Sequence, residues 1–199
     1  MKILLLATLF ILVSCSSFKA ERVDSKESDK RAMEISDRWN QVDSERVVKK
    51  LVKGINKNIS FAKYKSQKRK PKIFIGEIQN LTSEAYFPIR DLNDELLTVF
   101  HSSGQYILID SSSRQAILDE ITYQNDGMVE EGQIKQIGKQ AGADLIVFGS
   151  VYMHHATRKG KTIKQYSVNL RMTDIETGVE VVRVRTKTSK YSEQSKSGW

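Results

Sequence analysis

Cysteine occurs once in this chain, at Cys15, and histidine three times, at His101, His154 and His155. A lone thiol cannot build a framework of internal disulfides. Histidines so sparse and so placed do not make a metal site. His154 and His155 are strand neighbours and point to opposite faces, so they do not converge on one ion. There is no Gly-x-Ser-x-Gly elbow, because Phe148-Gly-Ser-Val lacks the second glycine. No P-loop and no glycine-rich dinucleotide fingerprint occurs. Asp110 and Asp144 stand at strand boundaries, where capping or turn formation accounts for them. These absences leave no catalytic set, no metal and no cofactor, and they argue against an enzyme.

Long apolar runs are also missing. The apolar stretch from Ile3 to Val13 follows Met1-Lys2. It is about eleven residues long, and a membrane-spanning helix needs about twenty. A positive start, a short apolar run and a small residue form an export signal over residues 1–14. Leu12-Val13-Ser14-Cys15 is the pattern read by bacterial lipoprotein processing, which leaves covalent lipid on Cys15. Each buried methylene contributes about 0.8 kcal/mol, so several acyl chains anchor a protein firmly. Ser16, rather than Asp, after the cysteine favours the outer membrane, by analogy with lipoprotein sorting. The expected location is therefore the outer membrane, lipid-anchored and facing the periplasm.

What the chain has in excess is positive charge: 32 Lys+Arg against 24 Asp+Glu, a formal +8. Outside the cytoplasm this points away from nucleic acid. Acidic partners fit instead: anionic lipid headgroups, cell-wall polymers or an acidic protein face.

Residues 15–35 are polar and charged with no apolar period, the composition of a flexible tether. From Cys15 to Trp39 the chain reaches at most roughly 80 Å fully extended, and averages about 27 Å as a coil. A folded domain is expected over 36–190, with a loose tail over 191–199. Val47, Val48, Leu51, Val52 and Ile55 recur at helical spacing behind Asp43 as N-cap. The basic stretch Lys65-Ser-Gln-Lys-Arg-Lys-Pro-Lys72 reads as a connector. Lys72–Asn80 reads as a strand, Asp91–Phe100 as a helix with Leu92, Leu96 and Val99 inward, and Tyr106–Asp110 as a strand. Ser111–Ser113 caps a third helix with Ala116, Ile117 and Ile121 inward, and Glu131–Ala141 makes a fourth. Asn80-Leu-Thr82 predicts an Asx turn.

Asp144–Tyr152 is almost continuously apolar, the pattern of a central strand buried on both faces. Tyr166, Val168, Leu170 and Met172 alternate with polar residues, as do Val182 and Val184. Glu176-Thr-Gly178 supplies the turn between these two strands. The predicted fold is an α/β (α+β) sandwich: a mixed sheet with helices packed on it, ending in an antiparallel hairpin. The wet face of that hairpin gathers Asn169, Arg171, Arg183, Arg185 and Lys187. Four cations on neighbouring strands repel one another, so an acidic partner would relieve a standing cost.

Five segments in order resemble the LpoB family of outer-membrane lipoproteins, activators of bifunctional penicillin-binding proteins. They are Ser36-Asp-Arg-Trp-Asn-Gln-Val-Asp43, Pro71-Lys-Ile-Phe-Ile-Gly-Glu-Ile-Gln-Asn-Leu-Thr82 and Ser103-Gly-Gln-Tyr-Ile-Leu-Ile-Asp110. Gly138-Lys-Gln-Ala-Gly-Ala-Asp-Leu-Ile-Val-Phe-Gly149 and Thr173-Asp-Ile-Glu-Thr-Gly178 complete the set. The fold so implied is related to TolB amino-terminal and CsgG-like domains. The resemblance implies a non-enzymatic regulator that binds a peptidoglycan synthase and activates it allosterically. Two other functions fit the same features: an accessory subunit of an outer-membrane secretion or assembly system, and a surface lipoprotein that binds polyanions.

Overall fold

The computed structural model describes residues 20–67, 70–110, 113–128 and 142–194. Two compact units divide the chain, Met1–Ile35 and Ser36–Trp199. In the first, Ser25–Ile35 is a helix, α1. The sequence showed no apolar period there, and α1 buries no residue. Local polar contacts hold it instead. Asp24 Oδ1 accepts the Glu27 amide at 2.9 Å, and Arg31 pairs with Glu27 and with Glu21, each at 2.8 Å. Exposed pairs of this kind contribute little.

The second unit carries the core. Helix α2, Gln41–Lys57, buries the five apolar residues that the spacing predicted. Asp43 is not its N-cap. Asn40 takes that place, its side chain accepting the Asp43 amide at 3.1 Å while Asp43 Oδ2 accepts the Asn40 amide at 3.0 Å. This reciprocal capping box satisfies two helix-end donors at once. A short helix, α3 (Ile59–Gln67), precedes and takes in the first three residues of the stretch expected as a connector, Lys65–Lys72. Its anchor is Phe61, fully buried, and Asn58 Oδ1 accepts the Phe61 amide at 3.2 Å. Lys65 belongs to α3, and Lys68 and Arg69 lie outside the described residues.

Strand β1 is Lys72–Leu81, helix α4 is Ile89–Ser102, and β2 is only Ile107–Leu108. Helix α5 spans Ser113–Tyr123 and runs into a π-helical turn over Gln124–Met128. Asp110 caps α5, accepting the Ser113 amide at 3.1 Å. Ala116 and Ile117 are exposed rather than inward. The expected helix over 131–141 lies outside the described residues. Strands β3 (Leu145–Arg158), β4 (Lys161–Asp174) and β5 (Glu180–Glu193) follow. β5 therefore runs past residue 190, where a loose tail was expected to begin.

The sheet order is β2-β1-β3-β4-β5. β2, β1 and β3 are parallel, while β3-β4-β5 form an antiparallel meander. Helices α2, α3 and α4 pack against the sheet and one another, making an α+β two-layer structure. β3 is central but not buried on both faces. Leu145, Val147 and Val151 are buried, whereas Ile146, Phe148 and Ser150 are half-buried and Tyr152 is exposed. Of the described helices, α2, α3 and α4 pack on the face that holds Leu145, Val147 and Val151, and the alternate residues of β3 are the less buried ones.

Gly149 lies on the helix-facing side of β3, opposite Leu170. A Cβ there would meet Leu170 Cδ2 at 2.8 Å and Ile78 Cγ1 at 3.1 Å. Overpacking of this kind costs about 1–3 kcal/mol. Gly149→Val is therefore expected to lower the melting temperature, with denaturant titration as the check. An unchanged midpoint would show that the close approach is not needed.

The start of this unit is clamped to the sheet. Trp39 packs on Phe87 and Tyr166, ring centroids 5.1 and 5.2 Å away, and donates to Ser44 Oγ at 2.8 Å. Lys190 Nζ, nearly fully buried, lies 2.5 Å from Asp43 Oδ2 and donates to the Arg38 carbonyl at 2.6 Å. Lys164 Nζ bridges Asp37 at 2.9 Å and Glu84 at 3.1 Å. Tyr166 OH also donates to Glu84, at 3.0 Å. Burial, then Glu84, pushes the Tyr166 phenol well above its ordinary 10.0.

Hydrogen bonds from Ser192 and then Lys164 hold the Asp37 carboxyl below its ordinary 3.8, against the opposing effect of burial. A lowered folded pKa stabilises above the unfolded value and loses that contribution as pH falls through the folded one. Asp37→Asn should therefore be less stable than the parent near neutrality. The gap should close as the pH drops below the carboxylate range. Urea titrations across pH read this directly, and a gap independent of pH would contradict it.

Candidate functional site

The face of the sheet opposite α2, α3 and α4 carries every residue of the predicted wet hairpin face. Antiparallel register sets them in rows. Asn169 lies between Ser150 on β3 and Arg185 on β5, and Arg171 between Phe148 and Arg183. Ser167 lies between Tyr152 and Lys187. Neighbouring strands are about 4.8 Å apart, so these side chains form one continuous surface. Arg171, Arg183, Arg185 and Lys187 are all exposed.

Alternation and pairing were readable from the sequence, but the environment of each cation was not. Arg171 stacks on Phe148, its guanidinium carbon 5.2 Å from the ring centroid, a contact that holds the cation over the quadrupole of the ring. Arg185 Nε donates to Asn169 Oδ1 at 2.7 Å. Arg183 Nε donates to Glu180 Oε1 at 2.8 Å. The Arg183 hydrogen bond in turn holds the Glu180 carboxyl below its ordinary 4.5. Among the described residues Lys187 has no carboxylate partner.

Glu180 was missed for a geometric reason. Residues three apart on a regular strand face opposite ways. A register shift after Met172 pairs Met172 with Val182 but Thr173 with Glu180. The extra residue turns Glu180 onto the face of Arg183, the local re-aiming that a bulge provides. The repulsion expected among the four cations is thus partly relieved within the chain. A second irregularity, in β1 between Ile75 and Ile78, keeps Ile78 in the core and leaves Glu77 exposed. Glu77, Gln79, Phe148, Tyr152, Arg171 and Arg183 line a shallow groove of about 320 Å³ along this face.

The remaining sequence candidates are structural. Asp144 Oδ2 accepts the Lys72 amide at 2.8 Å, tying the starts of β3 and β1 together. Asn80 Oδ1 accepts the Thr82 amide at 3.0 Å, the predicted Asx turn. Asp174 Oδ1 takes the Thr177 amide at 2.8 Å, and Gly178 turns at φ +70°. No group of three or more His, Cys, Asp or Glu that could hold a metal occurs among the described residues. No helix among them is long and apolar enough to cross a membrane. Leu12, Val13, Ser14 and Cys15 lie outside the described residues.

Among curated proteins nothing matches the chain. Solved structures similar to it include the LpoB C-terminal domain from Salmonella enterica, 10% identical over 73% of this chain and 98% of that one, TM-score 0.42. The LpoB C-terminal domain from Escherichia coli is 8% identical with the same coverage and TM-score. Lipoprotein GNA1162 from Neisseria meningitidis is 16% identical over 64% of this chain and 88% of that one, TM-score 0.41. The family described as "Peptidoglycan-synthase activator LpoB" matches residues 43–185. That span runs from the capping box of α2 to Arg185 in β5 and covers well over half of the sequence, so this chain belongs to the LpoB family.

Proposed function

We propose that this protein is a non-enzymatic envelope lipoprotein that docks on a bifunctional penicillin-binding protein and activates it. The observation that carries this reading is the family match over residues 43–185. The docking surface is the open sheet face around Asn169, Arg171, Arg183, Arg185 and Lys187. It is strand-built and basic, and an acidic patch on a non-catalytic region of the synthase complements it. Activation is allosteric: binding energy that differs between two synthase conformations shifts it toward the active one. Coupling of about 1–3 kcal/mol corresponds to roughly five- to 150-fold. No covalent chemistry by this chain and no cofactor is required. Lipid on Cys15 holds the protein to the outer membrane, facing the periplasm.

The tether is partly helical, with α1 over Ser25–Ile35. A helix rises 1.5 Å per residue, so the greatest reach from Cys15 to Trp39 falls to about 60 Å. The synthase must therefore extend toward the outer membrane for the two to meet.

The test is crosslinking and pull-down from membranes with the intact lipoprotein. Recovery of a bifunctional penicillin-binding protein is the expected result. Recovery of outer-membrane secretion components with no synthase would overturn the reading.

A further inference from the structure

Beyond Met153 strand β3 leaves the helical cover, while β5 stays tied down through Lys190 and Ser192. Residues 154–158 of β3 are all exposed. At about 3.3 Å per residue they carry β3 roughly 16 Å past its last half-buried position, to the hairpin that joins it to β4. The turn at its end, Lys159-Gly160, has both residues left-handed, φ 51° and 77°, the geometry of a tight two-residue hairpin. On the open face near this tip, Ala156, Ile163 and Tyr191 stand in one row across three strands. Ile163 is 39% and Tyr191 56% exposed. Arg158, Lys159 and Lys161 surround them, and the patch forms a shallow concavity of about 400 Å³. The nearby carboxylate, Glu193, lies 3.5 Å from Lys161 and accepts the Tyr191 hydroxyl at 2.9 Å.

From this tip we infer a second interaction surface, one that seats on an anionic phospholipid membrane. The chemistry matches the headgroup boundary. Tyrosine is enriched there because its ring is apolar and its hydroxyl polar. Lys and Arg lay their stems on apolar surface while their charges reach phosphate. Each cation at an anionic leaflet contributes about fivefold to binding. A protein partner fits less well. A stable protein interface buries about 800 Å² per side around a central apolar cluster, whereas this tip offers two large apolar side chains. Two such residues with three cations suit a weak, reversible membrane contact. Combined with a covalent lipid, such a contact would act as a second attachment point and limit how the domain turns on its tether. The inference does not depend on the synthase reading.

The probe is phosphatidylglycerol mixed into phosphatidylcholine vesicles, against phosphatidylcholine alone. The protein is the soluble form, residues 20–199, which keeps every core side chain and lacks the apolar leader that would itself bind lipid. Co-sedimentation with the anionic vesicles only is expected. Lys159→Asn/Lys161→Gln should weaken it about 25-fold, asparagine being chosen because it tolerates the left-handed turn. Ile163→Ser/Tyr191→Ser should weaken it as well, while synthase recovery in pull-downs stays at the parent level. Tyr191→Trp should gain a blue-shifted emission component on anionic vesicles, a positive signal that does not rely on loss. The inference fails if the parent ignores anionic vesicles, or if the tip variants bind them equally well. It also fails if the parent is a dimer in solution that the tip variants disrupt, which would make a second copy the occupant.

Discussion

Asp43→Asn lowers the stability of this domain by about 3–5 kcal/mol, the largest effect expected of any single substitution here. The asparagine is nearly isosteric and can still accept the Asn40 amide, so the capping box survives and the charge alone is removed. What remains is the Lys190 ammonium, 3% exposed, with the Arg38 carbonyl as its surviving acceptor. A buried cation stripped of its counter-ion bears most of its desolvation cost uncompensated. For a domain of this size each kcal/mol moves the midpoint by about 2–4 °C, so the fall is roughly 6–20 °C. Lys190→Met in the Asp43→Asn background should recover much of it, because a well-packed apolar pair often replaces a buried ion pair without loss. The double-mutant cycle isolates the coupling. If Asp43→Asn melts like the parent, the clamp between α2 and β5 is not a determinant of stability.

Arg183→Glu/Arg185→Glu carries the largest expected effect on function. These exposed side chains bond to Glu180 and Asn169, so global stability should change little. Arg183→Glu also places a carboxylate beside Glu180, whose own ion pair it removes. Both changes turn a basic surface toward acidic. Loss of close, desolvated charge pairs across an interface costs about 2–5 kcal/mol, a weakening of synthase binding by roughly 30-fold to several thousand-fold. Binding titrations at two salt concentrations measure it, since steering by this face should fade as salt rises. Equal affinity of variant and parent at low salt would remove the hairpin from the docking surface and leave the family assignment standing.

Period and turn chemistry made much of this architecture legible. The stripe Val47, Val48, Leu51, Val52 and Ile55 could only be one face of a helix, and it is buried as one. The alternation in β4 and β5 fixed which residues share the wet face, because a strand has period two. The order of elements was enough for a mixed sheet with helices and a terminal hairpin. What escaped depends on distance along the chain or on broken period. Helix α3 has nine residues and one fully buried anchor, Phe61, while Ile59 beside it is 86% exposed. No apolar repeat announces such an element. Lys190 falls on the helix-facing side of β5, but the residue that makes this tolerable, Asp43, is far away in sequence. Glu180 reaches Arg183 only through the register shift after Met172. The one-sided burial of β3 follows from where the helices sit, which its own run of apolar residues does not record.

Activation is read from the rate of glycan-strand polymerisation by a purified bifunctional penicillin-binding protein from the same cell. Adding the soluble protein should raise that rate at least about fivefold, in proportion to occupancy, and Arg183→Glu/Arg185→Glu at the same concentration should not. A rate that stays flat or falls, at concentrations where binding is demonstrated, would make the protein a ligand of the synthase and not its activator.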